Sequence, residues 1–339
     1  MGRRPASLFF SRFVVESGFR LRQNPLQAKT EGVSMFQVYL PIAEMAVPGE
    51  VILALGGVVG FLSAVFGVGG GFLATPFLVF LGVPPSIAVG TQANQLAAAS
   101  LTGVIGHWKR GNVDVRMGGL MLAGSILGSV VGIAIFRLLQ HIGQIDAVIN
   151  ILYVLLLGNI GVMMLIESLN ALLRKKVEGD RIRSPFWDRL IRRLPYPMRF
   201  PKSKLYISAL VPAAIGFVGG VMVSILGIGG GFFLVPAMIY IIGMPTLLVA
   251  GTSLFQILFT TVFATVLHAV ANKTVDLVLA ALLIVGGVIG VQIGIRAARH
   301  IKGAPARLSL AAMLLLVCLK LVFDLLIEPS ELFSTEIRG

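Results

Sequence analysis

A single cysteine, Cys318, stands among 339 residues, so neither an intrachain disulfide nor a thiolate metal cluster can be built. Charge is scarce, at 13% of residues, and no Asp or Glu falls inside any apolar run between 51 and 137 or between 207 and 296. Asp114 and Asp276 lie only at the ends of such runs. A proton relay of intramembrane carboxylates therefore has no candidate. No Ser/His nucleophile arrangement and no metal-ligand cluster stands out, which argues against an enzyme and against a bound metal or cofactor.

What the chain has instead is apolar length. Hydrophobic residues make up 56% of it, above the roughly 45–50% of soluble domains. A bilayer core of about 30 Å takes about 20 apolar residues per helix. Ten such segments are expected, at 51–66, 71–83, 86–107, 117–137 and 146–167, then 207–226, 231–243, 247–271, 275–296 and 305–327. The reading is an all-α polytopic membrane protein. The net charge of +13 does not point to nucleic acid, because eleven of the 28 Lys and Arg fall between Arg174 and Lys204 among three acids. That is the pattern of a cytoplasmic loop beside anionic lipid headgroups.

The halves are repeats. Gly67-Val-Gly-Gly-Gly-Phe-Leu-Ala-Thr-Pro76 recurs as Gly227-Ile-Gly-Gly-Gly-Phe-Phe-Leu-Val-Pro236 at an offset of 160. At 161, Pro84, Gly90-Thr91, Gln95 and His107 match Pro245, Gly251-Thr252, Gln256 and His268. At 162, Val113-Asp114, Gly124, Gly128 and Gly132 match Val275-Asp276, Gly286, Gly290 and Gly294. Five segments per copy is odd, so the second copy is expected to enter the membrane from the opposite side. With 168–206 cytoplasmic, eighteen bases fall inside and three (Arg137, Lys273 and Arg338) outside, which favours an inverted repeat with the C-terminus outside.

The expected divisions are an N-terminal arm and surface segment over 1–50, a first membrane repeat over 51–167, a basic loop over 168–206, a second repeat over 207–327 and a tail over 328–339. Residues 36–47 are too short to cross and contain Pro41 and Glu44. The six bases of residues 1–34 fit poorly before a segment that starts outside; translation starting at Met35 resolves this, as does an arm lying along a membrane surface, and the first is the favoured reading.

The glycine motifs lack the acid about 20 residues on that a dinucleotide fold requires. The alternative is a broken helix. Thirteen residues rise about 20 Å, too little to span, and glycines ahead of such a helix expose backbone N–H groups where anions are favoured. Candidate substrate-binding residues are thus Gly69, Gly70 and Gly71 with Gly229, Gly230 and Gly231. The polar cluster Thr91, Gln92, Asn94 and Gln95, matched by Thr252, Ser253 and Gln256, adds uncharged side chains that are costly in an apolar segment without a partner or water. Gln95 and Gln256 are read as paired anion contacts, with interhelical hydrogen bonding as the competing account. His107 and His268 are candidate proton relays, against a simpler role as interfacial hydrogen-bonders. Asp114 and Asp276 are read as helix caps.

The doubled Gly-x-Gly-Gly-Gly-Phe…Pro motif, followed by Gly-Thr and a His-ended segment, resembles the TauE/SafE family of sulfite and organosulfonate exporters over about residues 36–327. The stretch Phe36 to Glu44 is similar to the N-terminal opening of one bacterial subgroup. The resemblance implies a multi-pass protein of the bacterial cytoplasmic membrane that moves a small sulfur-containing anion. Alternating access about a midplane site is the expected mechanism, and a non-transporting scaffold or sensor is the alternative. The anion, the transport direction, the coupling ion and the oligomeric state are not encoded in these motifs.

Overall fold

The computed structural model describes residues 37–66, 71–173, 194–297 and 304–326. Gly69 and Gly70, and most of the basic loop, lie outside the described residues.

Each half opens with a short antiparallel hairpin that the apolar pattern does not announce. In the first, β1 (Gln37–Leu40) pairs with β2 (Met45–Pro48). Then follow α1 (Gly49–Phe66), α2 (Gly71–Phe80), α3 (Pro85–Lys109), α4 (Val115–Ile142) and α5 (Ile145–Leu173). In the second, β3 (Pro197–Phe200) pairs with β4 (Leu205–Ser208). It leads into α6 (Leu210–Leu226), α7 (Gly231–Pro236), α8 (Thr246–Leu267), α9 (Leu277–Ala297) and α10 (Ala304–Leu326). The hairpins keep the 160-residue offset. Pro41 matches Pro201, and the tip residues Glu44 and Lys204 share a left-handed backbone at φ 51° and 53°.

The start and stop signals are local. Pro84 and Pro245 precede α3 and α8, where a missing N–H costs nothing. Gly82 and Gly243, at φ 89° and 77°, end the short helices before them. Two stretches of the second half have no counterpart in the first. Ala237–Ile242 and His268–Asn272 are π-helical, continuing α7 and α8. They fall where the sequence offset steps from 160 to 161 and from 161 to 162. A π-turn is how a helix absorbs one surplus residue without changing direction, so the drift between the repeats is two insertions.

The largest helix contacts join the halves. α1 packs on α9, α6 on α4, α3 on α8 and α5 on α10, and exchanging the halves maps this pattern onto itself. The α4–α6 seam is made of glycines. A Cβ on Gly124, Gly128, Gly216 or Gly220 would run into the backbone carbonyl of Ala213, Phe217, Met121 or Ser125. Gly56, Gly60, Gly286 and Gly290 do the same between α1 and α9. Small residues that let backbones touch are what associates helices in lipid.

Among the described residues, five helices are long and apolar enough to cross a membrane, within Val115–Ile142, Ile145–Asn170, Leu247–Asn272, Leu277–Gly294 and Leu308–Leu326. Leu127, Leu155, Leu247, Val270, Leu277 and Leu316 face outward, each more than 60% exposed, as befits a lipid-facing surface. On α10 Lys320 pairs with Asp324 at 3.2 Å, and its ammonium lies 3.6 Å from the Phe80 ring centre.

Candidate functional site

The polar cluster of α3 is buried and divides between two tasks. Thr91 faces the other half, where its Oγ1 accepts the backbone N–H of Asp276 at 3.0 Å. Gln92 is wholly buried, and neither its Nε2 nor its Oε1 has a protein partner. One helical turn on, Gln95 donates from Nε2 to the Gly56 carbonyl at 3.4 Å, leaving Oε1 unpartnered. Both glutamines border a cavity of about 10 Å³, about the room one water needs. Gly60 and Ser63 of α1, Gly71 of α2, Leu96 and Ala99 of α3 and Gly287 of α9 also line it. Asn94 is half-buried, with Nδ2 unpartnered, and does not line this cavity.

Leu96 links the two glycine motifs. A Cβ on Gly71 would come 2.5 Å from its Cδ1, and one on Gly229 would come 3.4 Å from its Cδ2. Gly229, Gly230 and Gly231 are buried, and Gly230 takes φ 66° ahead of α7. The second motif therefore also reaches the residue that walls the cavity.

The counterpart around Gln256 is filled rather than open. Gln256 Nε2 donates to Thr260 Oγ1 at 3.2 Å, and Thr260 shares a 2.6 Å hydrogen bond with Ser125 of α4. Ser253, which occupies the position of Gln92, bonds the Ala250 carbonyl of its own helix. By the repeat offsets Thr260 corresponds to Ala99, and Ser125 to Gly287. Two hydroxyls thus fill around Gln256 the space that an alanine and a glycine leave open around Gln95, although Gln256 Oε1, like Gln95 Oε1, has no protein partner. The glutamines are equivalent in sequence and differ in surroundings, and only Gln95 lines the cavity. Ser63, Ala99 and Gly287 are cavity residues that motif reading missed. Their signal is the change of side-chain size between matched positions.

Thr91 and Thr252 belong to a pair of reciprocal latches. Thr252 Oγ1 accepts the Asp114 N–H at 3.0 Å, as Thr91 does for Asp276. Each aspartate caps its own helix, Asp114 through Met117 N–H at 3.2 Å and Asp276 through Val278 and Leu279 N–H at 3.0 and 3.1 Å. The second carboxylate oxygen of each holds a hairpin tip of the other half. Asp276 accepts from Ile42 N–H at 3.0 Å, and Asp114 from both N–H and Oγ of Ser203. Lys202 adds a 2.9 Å bond to the Val113 carbonyl. The first hairpin also packs at the start of α3, where Leu40 and Val47 meet Val83 and Ala88. The second latch follows the far end of α3, a helix of 25 residues or about 37 Å. The two latches therefore sit at opposite ends of the bundle.

Neither histidine touches the cavity. His107 is half-buried near the end of α3, with Nδ1 unpartnered. His268 is fully buried in the π-turn that continues α8. Its Nε2 lies 2.9 Å from the Ser224 carbonyl, its Nδ1 lies 3.1 Å from Asn272 Nδ2, and Phe136 meets the ring edge-on. The carbonyl assigns the proton to Nε2 and the Asn272 amide donates to Nδ1, so the neutral ring is satisfied at both nitrogens. Among the described residues no three His, Cys, Asp or Glu side chains gather as a metal site.

The family described as sulfite exporter TauE/SafE matches residues 52–321. A probable membrane transporter protein of Bacillus subtilis, YjnA, is 30% identical over 271 residues, covering 80% of this chain and 98% of the relative. A probable membrane transporter protein of Xylella fastidiosa is 32% identical over 250 residues, covering 72% and 82%. A second from Bacillus subtilis, YunE, is 26% identical over 282 residues, covering 81% and 97%. No solved structure matches the chain. With amide-lined space at the contact of glycine-broken helices, in a bundle whose length the family spans, this chain belongs to the TauE/SafE family of membrane transporters.

Proposed function

We propose that this chain carries a small oxyanion, sulfite or an organosulfonate, across the bacterial inner membrane by alternating access around the cavity at Gln92 and Gln95. The observation that carries the reading is Gln92, a wholly buried amide beside a cavity with both polar atoms unpartnered. Leaving such a group unmet costs about 1–3 kcal/mol, a cost that a water in the cavity or a ligand that displaces it removes. Neutral amides suit a carrier, because a fixed cation would hold an anion too firmly to release it. The cavity is smaller than an oxyanion, so loading requires α1, α3 and α9 to part, and their glycine contacts contain few interlocking side chains.

An inverted orientation of the halves supports the mechanism. The hairpins share a fold, yet the second carries Arg199, Lys202 and Lys204 with no acid, and the first carries Glu44 with no base. Matched structures of opposite charge at opposite ends of α3 support a cytoplasmic position for the second hairpin, and inverted repeats hold their site near the midplane.

Tracer flux of sulfite, sulfate, thiosulfate and taurine in proteoliposomes tests the reading. Saturable sulfite or taurine flux is expected, and Gln92→Leu is expected to abolish it while leaving membrane insertion intact. A scaffold or sensor gives no cargo-dependent flux, and that result would end the proposal.

A further inference from the structure

We infer that the cargo is bound as a singly charged, hydrogen-bearing anion, so that its proton crosses on the ligand rather than on the protein. This rests on the transport site proposed above.

The argument is the sign of the unpartnered groups. Gln95 Nε2 is fixed by the Gly56 carbonyl, because turning the amide over would set oxygen against oxygen. Its free atom is therefore the acceptor Oε1. Gln92 presents an NH2 with two N–H donors and one acceptor oxygen, whichever way its amide is turned. At least two acceptors thus face the cavity from α3. A fully ionised oxyanion has only lone pairs to offer them and would press its charge against both amide oxygens. A monoprotonated oxyanion supplies an O–H to one amide oxygen and takes the Gln92 N–H on another of its own oxygens.

Charge points the same way. Every residue lining the cavity is neutral, and so are the preceding residues 67–70. The cost of taking an ion out of water grows with the square of its charge, so a dianion costs about four times as much as a monoanion. Among the described residues no cation at the cavity offsets the difference. Of the two proposed cargoes sulfite meets this condition, since its second ionisation falls near neutrality and both forms are present there, whereas a sulfonate group bears no O–H.

A proton carried by the cargo also removes the need for a relay. The apolar runs between 51 and 137 and between 207 and 296 carry carboxylates only at their ends, Asp114 and Asp276, and His268 has both ring nitrogens engaged in its own network.

The test is equilibrium binding to the intact protein in lipid nanodiscs, under anaerobic conditions, with sulfite and with selenite. Selenite has the same shape, and its monoprotonated form persists to higher pH. Sulfite affinity is expected to hold on the acid side and to fall about tenfold per pH unit once the dianion predominates. The selenite curve is expected to fall at a correspondingly higher pH, and sulfate to bind roughly 100-fold more weakly than sulfite on the acid side. A fall at the same pH for both ions would assign the proton to the protein and overturn the inference. Affinity rising with pH, or sulfate binding as tightly as sulfite, would overturn it too. If no oxyanion binds at any pH and Gln92→Leu leaves flux unchanged, the site itself is wrong and the inference falls with it.

Discussion

The two pseudo-equivalent glutamine sites can be exchanged by four small substitutions. Ala99→Thr with Gly287→Ser converts the surroundings of Gln95 into those of Gln256. A Cβ at 287 would stand 2.7 Å from Gln95 Nε2, so the flexible amide moves by tenths of an ångström toward a hydroxyl placed one turn on, as Thr260 is placed from Gln256. Both new side chains point into space of about 10 Å³, leaving no room for a ligand. One hydrogen bond is gained and one long one given up, so stability is expected to stay within about 1 kcal/mol of the parent. Anion affinity is expected to fall at least roughly 100-fold, the loss of one or two charge-assisted bonds. The reverse pair, Ser125→Gly with Thr260→Ala, removes the 2.6 Å and 3.2 Å bonds and strands the Gln256 amide. It should cost roughly 2–4 kcal/mol and leave the affinity of surviving protein unchanged. Thermal melting and ligand titration on the same detergent-solubilised samples read both quantities. A forward variant that binds with parental affinity would refute the assignment of the cavity as the site.

Gln95→Leu and Gln256→Leu, which motif reading makes equivalent, should separate: the first is expected to weaken anion binding roughly 10- to 150-fold, the second to lower the melting temperature while affinity stays intact. Asp114→Asn and Asp276→Asn each leave one oxygen where two sets of N–H donors now bond on opposite oxygens, so each should destabilise by about 1.5–3 kcal/mol, and the pair should add to within about 0.5 kcal/mol because the sites are far apart. A C-terminal alkaline phosphatase fusion is expected to be active and one near Gly179 inactive, and the opposite pattern would defeat the inverted orientation.

Much of the fold was legible because the signals are local. Segment ends read from Pro84, Pro245 and the glycine motifs fall within a few residues of the helices observed, and Asp114 caps α4 as its position suggested. The hairpins were not legible: four-residue strands carry too short an alternation to read, and Pro41 with Glu44 made the first look like an arm. The repeat therefore begins earlier than its apolar part, near 37 and 197 rather than at 51 and 207. At the site, identity misled. Gln95 and Gln256 match, and what separates their roles is carried by Ala99 and Gly287 against Thr260 and Ser125. Thr91 and Thr252 were marked as polar residues needing partners, which they have in backbone 185 and 138 residues away, a pairing that no spacing rule contains.

The π-turns at 237–242 and 268–272 bear on energetics as well as alignment. In a carrier whose halves trade conformations, an unaltered duplication has inward-open and outward-open states that are copies of one another, and they are degenerate. One surplus residue in each of two helices of the second half lifts that degeneracy, because the two halves no longer have the same cost of adopting either shape. Under the proposed alternating access, the resting population is then set within the chain, before any ion gradient acts, and deleting a single residue from either π-turn is expected to shift it.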